Sequence, residues 1–217
     1  LNSAAIGGEL CDEIGGVRLG VLISAGGRSA MNIHEACMSG ELGDARIAIV
    51  IAHREEIEGV ARCRAAGLRV AVLAQGDAQA DAQADALDDR IDAALAAAKV
   101  DLVCLAGYLR HFRVGERWRG RTLNIHPGLL PDFGGPGMFG LHVHRAVLAA
   151  GSSQSGCTVH EVDEQYDHGT VILQRKCPVL ANDTAQSLAE RVFKEECVAY
   201  PQAIRQVLAG ARAGAKT

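Results

Sequence analysis

The run Leu123-Asn124-Ile125-His126-Pro127 sets an amide side chain and an imidazole two residues apart. Arg121-Thr122-Leu123 enters this run as a strand, and alternate residues of a strand share a face. Asn124 and His126 therefore point the same way. Pro127 keeps His126 extended and removes the next ladder donor, so the strand ends there. Asn124 offers a neutral hydrogen-bond donor. His126 offers a proton carrier whose pKa is about 6.5 when unperturbed. In open parallel sheets, ligands bind at such carboxyl ends of strands. A structural Asn–His pair is the competing reading, and a third group bears on it. In Tyr166-Asp167-His168-Gly169, a carboxylate stands in a tight loop before another strand, with Gly169 free to take a positive φ.

The elements that must position these groups follow from the hydrophobic pattern. Apolar runs predict strands over 17–23, 45–51, 69–73, 101–107 and 121–126. Helices are expected from Ser29 to about Ser39, from Glu56 to Ala66, and through Lys99. The last includes an Asp-Ala-Gln-Ala repeat over 77–86, read as a solvated helical face. Alternating strands and helices imply an α/β fold, a Rossmann-like and mostly parallel sheet with helices on both faces. The last third differs. A helix over 141–150 precedes two strands near 156–163 and 170–179, whose short connection makes them antiparallel or locally splayed. A final helix over 184–211 is expected to break at Pro201.

Composition narrows the function classes. The 217 residues read as one domain over 17–212 after a glycine-rich tail at 1–16. The net charge of −4 has no basic block, which argues against nucleic acid as a partner. No apolar run reaches membrane-spanning length, so no membrane role is expected. Seven cysteines without a Cys-x-x-Cys pair point to reduced thiols and a cytoplasmic setting.

With Cys157-Thr158-Val159-His160-Glu161-Val162-Asp163 and Tyr166-Asp167-His168-Gly169-Thr170-Val171-Ile172, the Asn-x-His-Pro run resembles the folate-dependent formyltransferase family, over about residues 17–205. The closest resemblance is to its branch acting on glycinamide ribonucleotide. It implies the formyltransferase fold, small-molecule substrates, 10-formyltetrahydrofolate as co-substrate, no metal, and a monomer or homodimer. It assigns catalysis to Asn124, His126 and Asp167. It assigns the acceptor's phosphate to Gly26-Gly27-Arg28-Ser29, a glycine turn opening a helix. Glu196 matches a residue that holds the acceptor's amide, although a solvated helical carboxylate is the simpler reading of that position. Tyr108, Leu109, Arg110, His111, Phe112 and Asp163 fall to the folate pocket, with a loop over 162–167 gripping the pterin. His160 becomes a supporting residue.

This chain departs from the family pattern in places. Arg28 stands in the usual Gly-Ser-Asn turn, and Phe193 where relatives carry a polar phosphate contact. Asp132–Gly140 is longer than the usual connection and reads as a flexible flap. His168 replaces a small residue and either perturbs Asp167 or faces solvent. Acceptors other than glycinamide ribonucleotide, such as an amino sugar, stay open, as does an inactive folate-binding homologue. Zinc on His126, His142, His144, His160 and His168 is disfavoured because 142 and 144 read as helical.

Overall fold

The computed structural model describes residues 16–74 and 80–214. The expected tail lies outside them except for Gly16, as does the start of the Asp-Ala-Gln-Ala repeat. The elements are β1 (Arg18–Ile23), α1 (Arg28–Met38), β2 (Arg46–Ala52), α2 (Glu58–Ala65), β3 (Val70–Val72), α3 (Ala80–Ala97) and β4 (Leu102–Leu105). Then come α4 (Gly115–Trp118), β5 (Thr122–His126), α5 (Leu141–Ala149), β6 (Gln154–Glu161), β7 (Val171–Pro178) and α6 (Ala185–Gly214). The seven strands form one sheet in the order β3-β2-β1-β4-β5-β6-β7. Strands β1 to β5 pair in parallel, while β5–β6 and β6–β7 are antiparallel.

Alternation along the central strands divides the core between two faces. Leu19, Val21 and Ile23 of β1 pack on one face with Ile33 of α1, Val147 of α5, and Leu188, Val192 and Ile204 of α6. Leu22 faces the other side with Leu87, Ile91 and Leu95 of α3 and Trp118 of α4. Each such buried aliphatic side chain contributes about 1.5–3 kcal/mol. Helix α4 was not expected; four residues are too few to show a helical period. Trp118 Nε1 donates to Asp92 Oδ1 at 2.8 Å, which joins α4 to α3.

The expected break at Pro201 is absent, and α6 runs through it. Proline removes the N–H that would satisfy the carbonyl four residues earlier. That carbonyl, of Cys197, instead accepts from Asn32 Nδ2 of α1 at 3.1 Å. Tyr200, fully buried, sets its hydroxyl between the carbonyls of Leu105 and Leu123, at 3.0 and 3.1 Å. Helix α6 is thereby tied to β4 and β5, beside the strand ends that carry the candidate site.

Candidate active site

Antiparallel pairing of β5 with β6 sets Asn124 opposite His160 and His126 opposite Thr158. His160 Nδ1 lies 2.7 Å from the Glu161 carbonyl, which can only accept, so Nδ1 carries the proton. The remaining ring nitrogen, Nε2, accepts from Asn124 Nδ2 at 3.1 Å. The same amide nitrogen lies 3.4 Å from Asp167 Oδ1. Thr158 Oγ1 donates to the Gly128 carbonyl at 2.7 Å and accepts from Leu130 N at 3.1 Å. The turn after Pro127 is thus pinned to β6.

His126 is 3% exposed. Its Nε2 donates to the Phe133 carbonyl at 2.6 Å, and Nδ1 stands 3.4 Å from Asp167 Oδ2. Burial holds the imidazole's pKa below the usual value, against the upward pull of Asp167 and the Phe133 carbonyl. Burial also works against the charge of Asp167, yet the Gly135 amide, which donates to Oδ2, helps hold that carboxyl below its ordinary range. The ring is neutral with its lone pair on Nδ1, beside an ionised carboxylate.

The loop carrying Asp167 differs from expectation in its backbone. Asp167 itself takes the left-handed conformation, at φ 53°. Gly169 does not; it is needed because a Cβ there would collide with the Glu161 carbonyl oxygen. His168 turns away from Asp167, with Nδ1 2.8 Å from Asp163 Oδ2. Asp132–Gly140, expected as a flap, meets the site through the Phe133 carbonyl and through Gly135 N, which donates to Asp167 Oδ2 at 2.9 Å.

Asn124, His126, His160 and Asp167 line a cavity of about 630 Å³ at the carboxyl ends of the parallel strands. At one end stand Arg28 and Ser29 with Glu190, Phe193 and Glu196 of α6. Gly26 and Gly27 shape the turn beneath rather than the wall. Gly27 is left-handed at φ 68°, and a Cβ there would lie 2.9 Å from Gly59 Cα. Arg28 gives both guanidinium nitrogens to Glu190 at 2.8 Å each and lies 3.6 Å from the Phe193 ring centroid. Glu196 is not the solvated carboxylate that its helical position suggested. It lines the cavity, and burial pushes its pKa up to about 7 while Arg28 works against the shift.

The other end is walled by residues 107–112 and by Val162, Asp163, Gln165 and Tyr166. Tyr108, Leu109, Arg110, His111, Phe112 and Asp163 all line it. The Tyr108 hydroxyl is buried without a hydrogen-bond partner. His111 Nε2 lies 3.1 Å from the Glu164 carbonyl, and its ring meets Tyr166 edge-on at 5.4 Å. These contacts join the loop after β4 to the loop before β7. Sequence reading missed Glu190 and the backbone groups of Phe133 and Gly135. Glu190 carried a signal, three residues before Phe193 on the same helical face.

His142 and His144 lie on α5, in the helix expected over 141–150. Among the described residues no group of three or more His, Cys, Asp or Glu is placed to hold a metal ion. No described helix is long and apolar enough to cross a membrane.

The chain is 40% identical over 190 residues to a chloroplastic phosphoribosylglycinamide formyltransferase of Vigna unguiculata, covering 86% of this chain and 59% of that protein. It is 33% identical to the phosphoribosylglycinamide formyltransferase of Haemophilus influenzae, covering 87% of this chain and 85% of that one. The chain thus spans about six-tenths of the length of the Vigna relative. Glycinamide ribonucleotide transformylase 1 of Symbiobacterium toebii superposes with a TM-score of 0.82 at 38% identity, over 90% of this chain and 89% of that one. The structure from Brucella melitensis, also a phosphoribosylglycinamide formyltransferase, gives 0.78 at 39% identity, over 88% and 95%. Residues 17–204 match the model of the formyl transferase family, and the chain belongs to that family.

Proposed function

We propose that this chain transfers the formyl group of 10-formyltetrahydrofolate to the amine of glycinamide ribonucleotide. The observation that carries this reading is the convergence of Asn124, His126 and Asp167 in one cavity with room at both ends. Residues 107–112 and the Asp163–Tyr166 wall would take the folate. Arg28, Ser29 and Glu196 would take the acceptor, and its names in the relatives support that choice.

The amine nitrogen attacks the formyl carbon, and the carbonyl electron pair moves to oxygen. A proton from the attacking nitrogen passes to His126 Nδ1, whose lone pair is available, and Asp167 stabilises the imidazolium. Asn124 Nδ2 donates to the oxyanion by releasing its longer contact, the one to Asp167. A preorganised donor of this kind contributes about 2.7–4 kcal/mol. The oxyanion then collapses, the bond from carbon to the folate N10 breaks, and N10 takes a proton from His126. Cavity residues suffice for each proton transfer.

One observation favours a second acceptor. The Arg28 fork, suited to a phosphate, is filled by Glu190. An amino sugar without that phosphate would not have to displace it. Competition between glycinamide ribonucleotide and an amino sugar for labelled formyl decides between them. The proposal expects label in the ribonucleotide, and label in the sugar alone contradicts it.

A further inference from the structure

The segment after Pro131 supplies two backbone groups of opposite polarity to the two titratable groups of the reaction. The Phe133 carbonyl accepts from His126 Nε2 at 2.6 Å, and two residues later Gly135 N donates to Asp167 Oδ2 at 2.9 Å. His126 therefore has two acceptors in reach, because Asp167 Oδ2 lies 3.4 Å from Nδ1. A neutral imidazole has one proton to give. Beside Asp167 alone, that proton would sit on Nδ1 as a donor to the carboxylate. No lone pair would then face the attacking amine. The shorter bond to Phe133 draws the proton to Nε2 and leaves Nδ1 free. Once Nδ1 gains the amine's proton, both acceptors are satisfied together.

We propose that the Phe133–Gly135 turn is a positioning element of the reaction: its carbonyl selects the His126 tautomer that can accept a proton, and its amide, donating to Oδ2, holds the Asp167 carboxylate beside it. The inference rests on the proposed formyl transfer and assigns a role to the glycine-rich Asp132–Gly140 segment. No side chain of the turn takes part, so the role is invisible to side-chain substitution.

Backbone esters test it. Replacing Gly134 by glycolic acid weakens the Phe133 carbonyl as an acceptor; replacing Gly135 by glycolic acid removes the N–H that Asp167 accepts. Neither adds bulk. Imidazole nitrogen shifts of His126 and carboxyl carbon shifts of Asp167 are followed with pH, alongside kcat and both KM values. The Gly134 ester should shift His126 toward the Nδ1–H tautomer and lower its pKa. The Gly135 ester should raise the pKa of Asp167. Each should lower kcat by at least about tenfold and leave both KM values within about twofold. Unchanged titrations in active ester chains overturn the inference, as do shifted titrations with unchanged kcat, or a fall in kcat without any shift. An unmodified chain that transfers no formyl group contradicts the proposed function instead, and the two titrations still decide whether the turn sets these protonation states.

Discussion

Arg28 and Glu190 form a two-pronged ion pair, 2.8 Å at each contact, across the end of the cavity where a phosphate would enter. A carboxylate and a phosphate compete for the same guanidinium fork. Glu190→Gln should therefore lower KM for glycinamide ribonucleotide, and Arg28→Ala should raise it, with smaller changes in kcat. Phosphate binding far from the reacting amine is nearly the same in ground and transition states. The comparison uses the phosphorylated acceptor and its dephosphorylated analogue. If neither variant discriminates between them, no phosphate site exists at Arg28.

The pairing of Asn32 with the Cys197 carbonyl predicts a coupling in stability. Asn32→Ala leaves a carbonyl unpaired beside α6 and should cost about 1–3 kcal/mol. Pro201→Ala restores the helical N–H, so the cost of Asn32→Ala should shrink in that background. Urea denaturation of the four chains measures this. Equal costs in both backgrounds would mean that Asn32 does not compensate for the proline.

Two pH effects follow from pKa shifts of opposite direction, and both favour the reaction as pH rises. Burial holds His126 below its ordinary pKa, and the base must be neutral. The acid limb of kcat should therefore lie below pH ~6.5, the unperturbed imidazole value. Glu196, raised to about 7, gains its charge as pH rises through that value. If the carboxylate accepts hydrogen bonds from the acceptor, the acceptor's KM should fall as pH rises through neutrality. Glu196→Gln should flatten that dependence and leave the kcat limb in place. A profile unaltered by Glu196→Gln contradicts the assignment.

His126→Ala and Asp167→Asn should each lower turnover by at least about a hundredfold, the usual scale for acid–base groups. Asn124→Ala should cost a similar factor through the lost oxyanion donor. His160→Ala acts through Asn124, so its loss should be smaller. Steady-state rates of folded variants check this order. Near wild-type turnover in His126→Ala would remove the imidazole from the mechanism.

Much of the fold was legible because strands buried on both faces leave plain apolar runs, as in Val21-Leu22-Ile23 and Ile49-Val50-Ile51. The pair Asn124 and His126 was legible because strand periodicity puts both on one face. Three features were not. The continuity of α6 through Pro201 depends on a donor from α1, far away in sequence. The left-handed backbone fell on Asp167 rather than Gly169, because the close approach to Glu161 set the glycine's place. The partners of His126 and Asp167 in the Phe133–Gly135 turn are backbone groups, which every residue type carries. Glu196 misled because its helical context showed only a charge, while the cavity around it is a product of the tertiary fold.

The most direct test of the central claim is the rate of formyl transfer from 10-formyltetrahydrofolate to glycinamide ribonucleotide by the purified chain, measured with a metal chelator present. The account predicts steady production of formylglycinamide ribonucleotide, unaffected by the chelator and abolished by the combined changes His126→Ala and Asp167→Asn. No transfer by the folded wild-type chain would contradict it, as would transfer that needs added metal.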